Sequence, residues 1–229
     1  MAERGQYCPV AIGTEVVGDR WTLLILRELL VGSTRFNEIA RGLPRISRTL
    51  LTERLRRLER MGLVERRRGA DGRGVEYALT PAGADLREVV WALGEWAVRW
   101  SFEDPDEQMV DGRLLMWRLC QSVRTDRLPP RRVVVRFRLT GADAMTAWLL
   151  LEPEEGASVC LRSPGPGDDV TVRADNAALH RVNAGRTSLG DAMARDEVAI
   201  QGPDELVRAL PGWFAWSPFH AAVRRVAGW

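Results

Sequence analysis

Ser47, Arg48, Thr49, Thr52 and Arg56 stand together in the stretch RISRTLLTERLRRLER, and their side chains are guanidinium forks and short hydroxyls. Groups of that kind suit phosphate oxygens and the edges of bases. Arg35 and Arg45 lie just upstream, and Arg66, Arg67, Arg68 and Arg73 follow downstream. From Arg41 to Arg73 the chain holds eleven Arg against Glu53, Glu59, Glu65 and Asp71, a net of +7, whereas the whole chain is only +2. The positive charge is concentrated in one segment, and it points to duplex DNA as a partner.

The elements that must position these residues are written in the same stretch. Ser47 sits where a helix N-cap belongs, and Leu51, Leu55 and Leu58 recur at helical spacing. Those leucines should face a core, which leaves Arg48, Thr49, Thr52, Arg56, Arg57 and Arg60 on the opposite face. Gly62 stops the helix, Leu63 to Arg68 reads as a strand, 69–74 is rich in turn residues, and Val75 to Leu79 reads as the returning strand. Upstream, Cys8 to Val17, Trp21 to Leu30 and Phe36 to Ala40 are predicted helices, with Gly42-Leu43-Pro44 as the turn before the basic one. The order is that of a winged helix. Thr80 and Pro81 open a further helix expected to run to about Trp100, with Leu86, Val89, Val90, Leu93, Ala97 and Trp100 as an apolar stripe. Trp91, Trp96 and Trp100 are more aromatic surface than a small domain hides alone, and they are the candidate dimerisation residues.

A chain of 229 residues has room for two cores. The fold class expected is α+β: a winged helix-turn-helix domain over 1–102, an acidic linker over 103–112, and an α+β domain over 113–229 with an antiparallel sheet covered by helices. Arg131 to Thr140 alternates apolar and polar residues as a half-buried strand does, and Ala147 to Glu152, Ser158 to Ser163 and Val170 to Ala174 follow between turns. Asn176 to Ala184 and Leu189 to Arg195 read as helices, Val198 to Gln201 as a last strand and Asp204 to Leu210 as a helix. Residues 1–80 carry fifteen Arg and ten acids, so the remainder, with eighteen Arg and twenty-one acids, is net −3 and not shaped to attract phosphate.

Other chemistry finds little support. All 33 basic residues are Arg; the three cysteines, Cys8, Cys120 and Cys160, have no metal or disulfide spacing; and the two histidines, His180 and His220, stand in no ligand pattern. The glycines around Pro166 lack the context of a phosphate loop. The reading is therefore no enzyme, no cofactor and no metal. The polar N-terminus lacks a signal segment, which suggests a cytoplasmic protein without a membrane partner.

CPV at Cys8, GDRWTLLILREL at Gly18 to Leu29, RFNEI at Arg35 to Ile39, the LTERLRRLERMGLV run and YALTPAG together resemble the HxlR family of MarR-like winged-helix regulators over about residues 7–102. Arg20 stands where many relatives have Lys. The resemblance implies a homodimeric transcription regulator on a pseudo-palindromic DNA operator. It places Ser47, Arg48, Thr49, Thr52 and Arg56 in or near the major groove and the wing arginines on flanking phosphates. It also implies a dimer interface on the helix after the wing, shared with the N-terminal helix, and Cys8 as a redox candidate, since some relatives use a cysteine there as an oxidant switch. The stretch VTVRADNAALHRVNAGRTSLGDAMARDEVAIQGPDEL resembles, more weakly, the sterol carrier protein type 2-like fold. That resemblance implies a pocket for an acyl chain, a sterol-like, polyketide-like or other apolar molecule, with Phe137, Trp148, Leu150, Trp213, Phe214 and Trp216 as candidate lining or, alternatively, plain core. The combined expectation is a regulator whose apolar effector modulates operator binding. Two alternatives stay open: a second domain that only packs the dimer, with Cys8 or nothing at all as the switch, and a lipid carrier that uses the winged helix to bind protein.

Overall fold

The computed structural model describes residues 7–69, 72, 74–106, 108–165 and 167–228. The chain divides into two compact units, one up to Leu93 and one from Gly94. The division falls inside a helix and not in the acidic 103–112 segment.

The first unit opens with α1 (Pro9–Val17), α2 (Arg20–Leu30), α3 (Phe36–Gly42) and α4 (Arg48–Arg60). Asp19 caps α2 by accepting from the backbone N–H groups of Trp21 and Thr22, and Ser47 caps α4 by accepting from Leu50 at 3.2 Å. These bonds satisfy donors that the first turn of a helix leaves free. Ile25, Leu26, Ile39, Leu51, Leu55 and Leu58 are almost wholly buried and form the core. Gly62 turns the chain at a φ of +68°, a conformation glycine adopts without penalty. Strands β1 (Val64–Arg68) and β2 (Val75–Leu79) then pair antiparallel, Val64 opposite Leu79 and Arg68 opposite Val75. The hairpin is tied to the helices by the Tyr77 N–H, which donates to the Thr34 carbonyl at 2.7 Å.

The helix expected over 81–100 is interrupted. A short α5 (Pro81–Asp85) stops at Leu86, and α6 (Arg87–Trp100) continues from there. Thr80 anchors the start of α5: its N–H donates to the Leu63 carbonyl, its hydroxyl donates to the Gly62 carbonyl at 2.6 Å, and that hydroxyl caps Gly83. The first turn is thus bound to the base of the wing, and a Cβ on Gly83 would lie 2.0 Å from the Leu63 carbonyl oxygen.

The second unit contains α7 (Gly112–Gln121), β3 (Val133–Thr140), β4 (Met145–Glu152), β5 (Gly156–Cys160), β6 (Val170–Asp175), α8 (Asn176–Ala184), α9 (Leu189–Ala194), β7 (Val198–Gln201), α10 (Asp204–Ala209) and α11 (His220–Ala227). Its five strands run in the order β5-β4-β3-β6-β7. The sheet is mixed, not antiparallel throughout, because β6 pairs parallel with β3, Val135 opposite Val170 and Thr140 opposite Asp175. After β5, at one edge of the sheet, the next strand β6 lies on the far side of β3. The strand expected over Ser158 to Ser163 lies instead at Gly156–Cys160, and the turn residues expected after it do not reveal which strand the chain pairs with next. Val133, Val135, Phe137 and Leu139 of β3, with Ala147, Leu149 and Leu151 of β4, face the core beneath the helices. Among the described residues no helix is long and apolar enough to cross a membrane.

Candidate nucleic-acid interface

Helix α4 turns Leu51, Leu55 and Leu58 inward, so Thr49, Glu53, Arg56 and Arg60, on the opposite side, are exposed. Arg48 leans to one flank. Its guanidinium donates to Asn37 Oδ1 at 3.1 Å and lies over the Phe36 ring, 4.8 Å from the centroid. The start of α3 therefore holds a cation that would otherwise sample many rotamers. The Thr52 hydroxyl donates to the Arg48 carbonyl at 2.9 Å and is only half exposed. On the other flank, Arg54 pairs with Asp19 at 2.9 Å and Arg57 donates to the Glu15 carbonyl at 3.1 Å. Arg57, expected on the outward face, is thus tied to the end of α1.

Arg35 pairs with Glu76 of the wing at 3.2 Å and bridges it through the backbone, so it braces β2 against α3. Arg45 is exposed in the turn before α4. On β1, Arg66, Arg67 and Arg68 are all exposed; Arg66 approaches Glu59 at 3.9 Å, Arg67 pairs with Glu65, and Arg68 donates to the Gly72 carbonyl at 3.3 Å. Arg73 lies outside the described residues. The structure therefore places Arg45, Ser47, Arg48, Thr49, Arg56 and the three wing arginines at the surface, with Thr52 half exposed and Arg35 braced against the wing.

Sequence reasoning missed what supports this surface. Glu28 of α2 is completely buried, and its carboxylate accepts from Arg27 at 2.6 and 3.0 Å. Arg27 also reaches the Gly42 carbonyl at 3.4 Å, and a Cβ on Gly42 would lie 1.9 Å from Glu28 Oε2. This polar joint locks α2 to the turn before α4, and Gly42 is needed because the backbone approaches the carboxylate so closely. Phe36 and Asn37 were likewise read only as helix formers, since nothing in a linear pattern shows that a later arginine rests on them.

Residues 16–105 match the model of the HxlR-like helix-turn-helix family. An uncharacterized HTH-type transcriptional regulator of Bacillus subtilis, YvaP, is 35% identical over 99 residues, which is 42% of this chain and 92% of YvaP. The chain belongs to the HxlR family. An uncharacterized HTH-type transcriptional regulator of Mycobacterium tuberculosis is 47% identical over 83 residues, and there the aligned part spans 36% of this chain and about half, 52%, of the relative's length. The solved reduced form of the transcriptional regulator YodB from B. subtilis is 35% identical and covers 44% of this chain and all of its own, with a TM-score of 0.37. Residues from 106 onward lie beyond the HxlR match.

In this HxlR protein α6 has two different sides. Val89, Leu93, Trp96 and Trp100 recur three or four residues apart and are exposed, Trp96 to 51% and Trp100 to 73%. Trp91 points the other way. It is half buried against the core of the first unit, with the Arg87 guanidinium 5.4 Å from its ring, so it does not share the exposed stripe as expected. Cys8 stands at the N-cap of α1, half buried, with no capping bond from its side chain.

In the second unit the six candidate lining residues are not brought together. Phe137, Trp213 and Phe214 are buried in the core under the helices, and the partly buried Trp216 packs against them with its ring tilted, 5.4 Å from that of Phe214. Trp148 and Leu150 face the opposite side of the sheet, because Trp148 lies across from Arg136 and Leu150 from Val134 in the register. There the Trp148 indole N–H donates to Asp168 at 2.9 Å and Arg136 covers its ring. A cleft of about 460 Å³ opens on that side, lined by Arg132, Val134, Pro164, Gly165, Gly167, Asp168 and Asp169. Its lining is polar, unlike the apolar pocket expected.

Proposed function

We propose that this protein is a DNA-binding transcription regulator that acts as a homodimer and inserts α4 into the major groove. The observation that carries the reading is the exposed Thr49, Arg56 and Arg60 line of α4, flanked by Arg48 and by three exposed arginines on the wing. Side chains in the first turns of such a helix reach base edges, and wing cations suit flanking phosphates. Two-fold symmetry would set the two copies of α4 about one turn of DNA apart, on a pseudo-palindromic operator. The exposed stripe of α6 supports the dimer.

The second unit, in this proposal, takes an apolar small molecule that changes operator affinity. Support comes from its order of elements: β6, then α8 ending at the left-handed Gly185, then α9, β7, Gly202 and α10. This is the succession for which the sterol carrier-like fold was read. The lining belongs to the helix-covered side with Phe137, Phe214 and Trp216, and excludes Trp148 and Leu150.

DNA binding is tested by titrating the full chain onto random-sequence duplex at several salt concentrations. Affinity should fall steeply as salt rises, through counterion release, and Arg56→Ala should weaken binding by about 1 to 3 kcal/mol. Salt-independent association, or none, would refute the groove reading.

A further inference from the structure

The outward line of α4 carries one acid among its cations. Glu53 is exposed, one turn after Thr49 and one turn before Arg56, and it makes no hydrogen bond or ion pair with any described residue. A glutamate three or four residues before an arginine ordinarily pairs with it on a helix surface. Here Arg57 is occupied by the Glu15 carbonyl, and Arg56 forms no ion pair with any described residue. Of the other described acids close to the basic surface, Glu59 is used by Arg66, Glu65 by Arg67 and Glu76 by Arg35. Among these described acids Glu53 alone stands unneutralised, in the middle of the outward line of α4.

We infer that Glu53 is a specificity-determining residue that accepts a hydrogen bond from the amino group of a cytosine in each half of the operator. The inference rests on the reading that α4 enters the major groove. An ionised carboxylate can only accept, and it is repelled by the phosphates on both sides of the groove. It therefore opposes binding to any sequence that does not offer it a donor. Guanine presents two acceptors in the major groove and thymine an acceptor and a methyl group, so both leave the carboxylate desolvated without a partner. Adenine places its amino donor beside the N7 acceptor, which repels the second carboxylate oxygen. Cytosine presents the amino donor without that acceptor and is the base that fits. Glu53 thus lowers affinity for DNA in general while sparing one class of site, a repulsive contribution to specificity that arginines and threonines cannot make.

The test is selection from a duplex library with a randomised core, using the full chain as wild type, Glu53→Ala and Glu53→Gln, with thermal melting as the check that each variant folds. The wild type should enrich a motif with cytosine at one position of each half-site. Glu53→Ala should lose that preference, discrimination there falling about tenfold, while its affinity for unselected duplex rises. Glu53→Gln should move the preference toward adenine, since a carboxamide supplies both the acceptor and the donor that adenine's edge requires. If Glu53→Ala enriches the wild-type motif with the same base at every position, the inference is overturned and the groove reading stands. If the wild type enriches no motif, both fall together.

Discussion

Arg48, Glu28 and His180 show how single residues here draw their roles from the particular side chains and backbone groups that the fold sets beside them. Arg48 is held by Asn37 and Phe36, so in the proposed complex less rotamer freedom would be lost on meeting a phosphate or base. Glu28 would be costly in a core without Arg27, and removing one partner of such a pair costs far more than the pair contributes. His180 sits where α8 meets the start of α7, with its Nε2 3.3 Å from the Asp111 backbone. Burial lowers its pKa from 6.5, against the raising influence of the Asp111 backbone bond and the charges of Asp111 and Asp143. The native state thus favours the neutral ring. That stabilisation is fully present above about pH 6.5, the value for an unfolded histidine, and is lost as pH falls below it toward the lowered native value. The melting temperature should accordingly drop between about pH 7 and 5, with at most about 1.4 kcal/mol lost per pH unit for each proton taken up. His180→Gln should flatten the profile; an equally steep decline in that variant would show that other groups are responsible.

At the scale of elements, α6 is the one whose surface is least explained by its own chain. Val89, Leu93, Trp96 and Trp100 form a stripe that only another apolar surface can dry, and buried aromatics dominate the energetics of interfaces. A second copy of the same helix provides such a surface, and an isologous contact brings each stripe against its counterpart. The wild type should be a dimer at micromolar concentration by light scattering. Trp96→Glu should weaken association by roughly 2 kcal/mol or more, enough to leave monomers, without lowering the melting temperature of each subunit by a comparable amount. A wild type that is monomeric at high concentration would remove the dimer from the proposal. The period of the stripe was legible in sequence, but its lateral division was not. Trp91 joined Trp96 and Trp100 as one aromatic set until the helix placed it on the far side, against the first core.

For the whole molecule, the question is how occupancy of the second unit could alter DNA binding by the first. An effector shifts that equilibrium only by its differential affinity for two conformations, and such couplings are typically about 1 to 3 kcal/mol, roughly five- to 150-fold in affinity. Helix α6 contributes residues to both compact units, so a change in its direction is the means open to the chain. Native mass spectrometry of the purified chain, compared with a denatured sample extracted into organic solvent, should reveal a discrete apolar molecule that leaves on denaturation. A protein that carries none, and takes up none from a mixture of acyl chains and sterols, would reduce the second unit to a structural role.

Much of the first unit was decided locally. Ser47 followed by leucines at helical spacing, Gly62 after the last of them, and Thr80 with Pro81 are short-range signals, and each acts within a turn or two of where it is written. The concentration of arginine between Arg41 and Arg73 is equally a property of the sequence, and so is the alternation that made β3 a strand with one wet face. Tertiary structure alone decided the rest. It parted Trp148 and Leu150 from Phe137, because a one-residue step along a strand reverses the face and only the pairing of β4 with β3 sets which residues share it. It made the sheet mixed, because the partner of β6 is set by the arrangement of the whole sheet, not by the turn residues that precede it. It also left Glu53 unpaired among arginines, since Arg57 and Arg54 are engaged elsewhere and Arg56, though near in sequence, does not pair with it, and the distribution of ion pairs is a property of the folded surface as a whole.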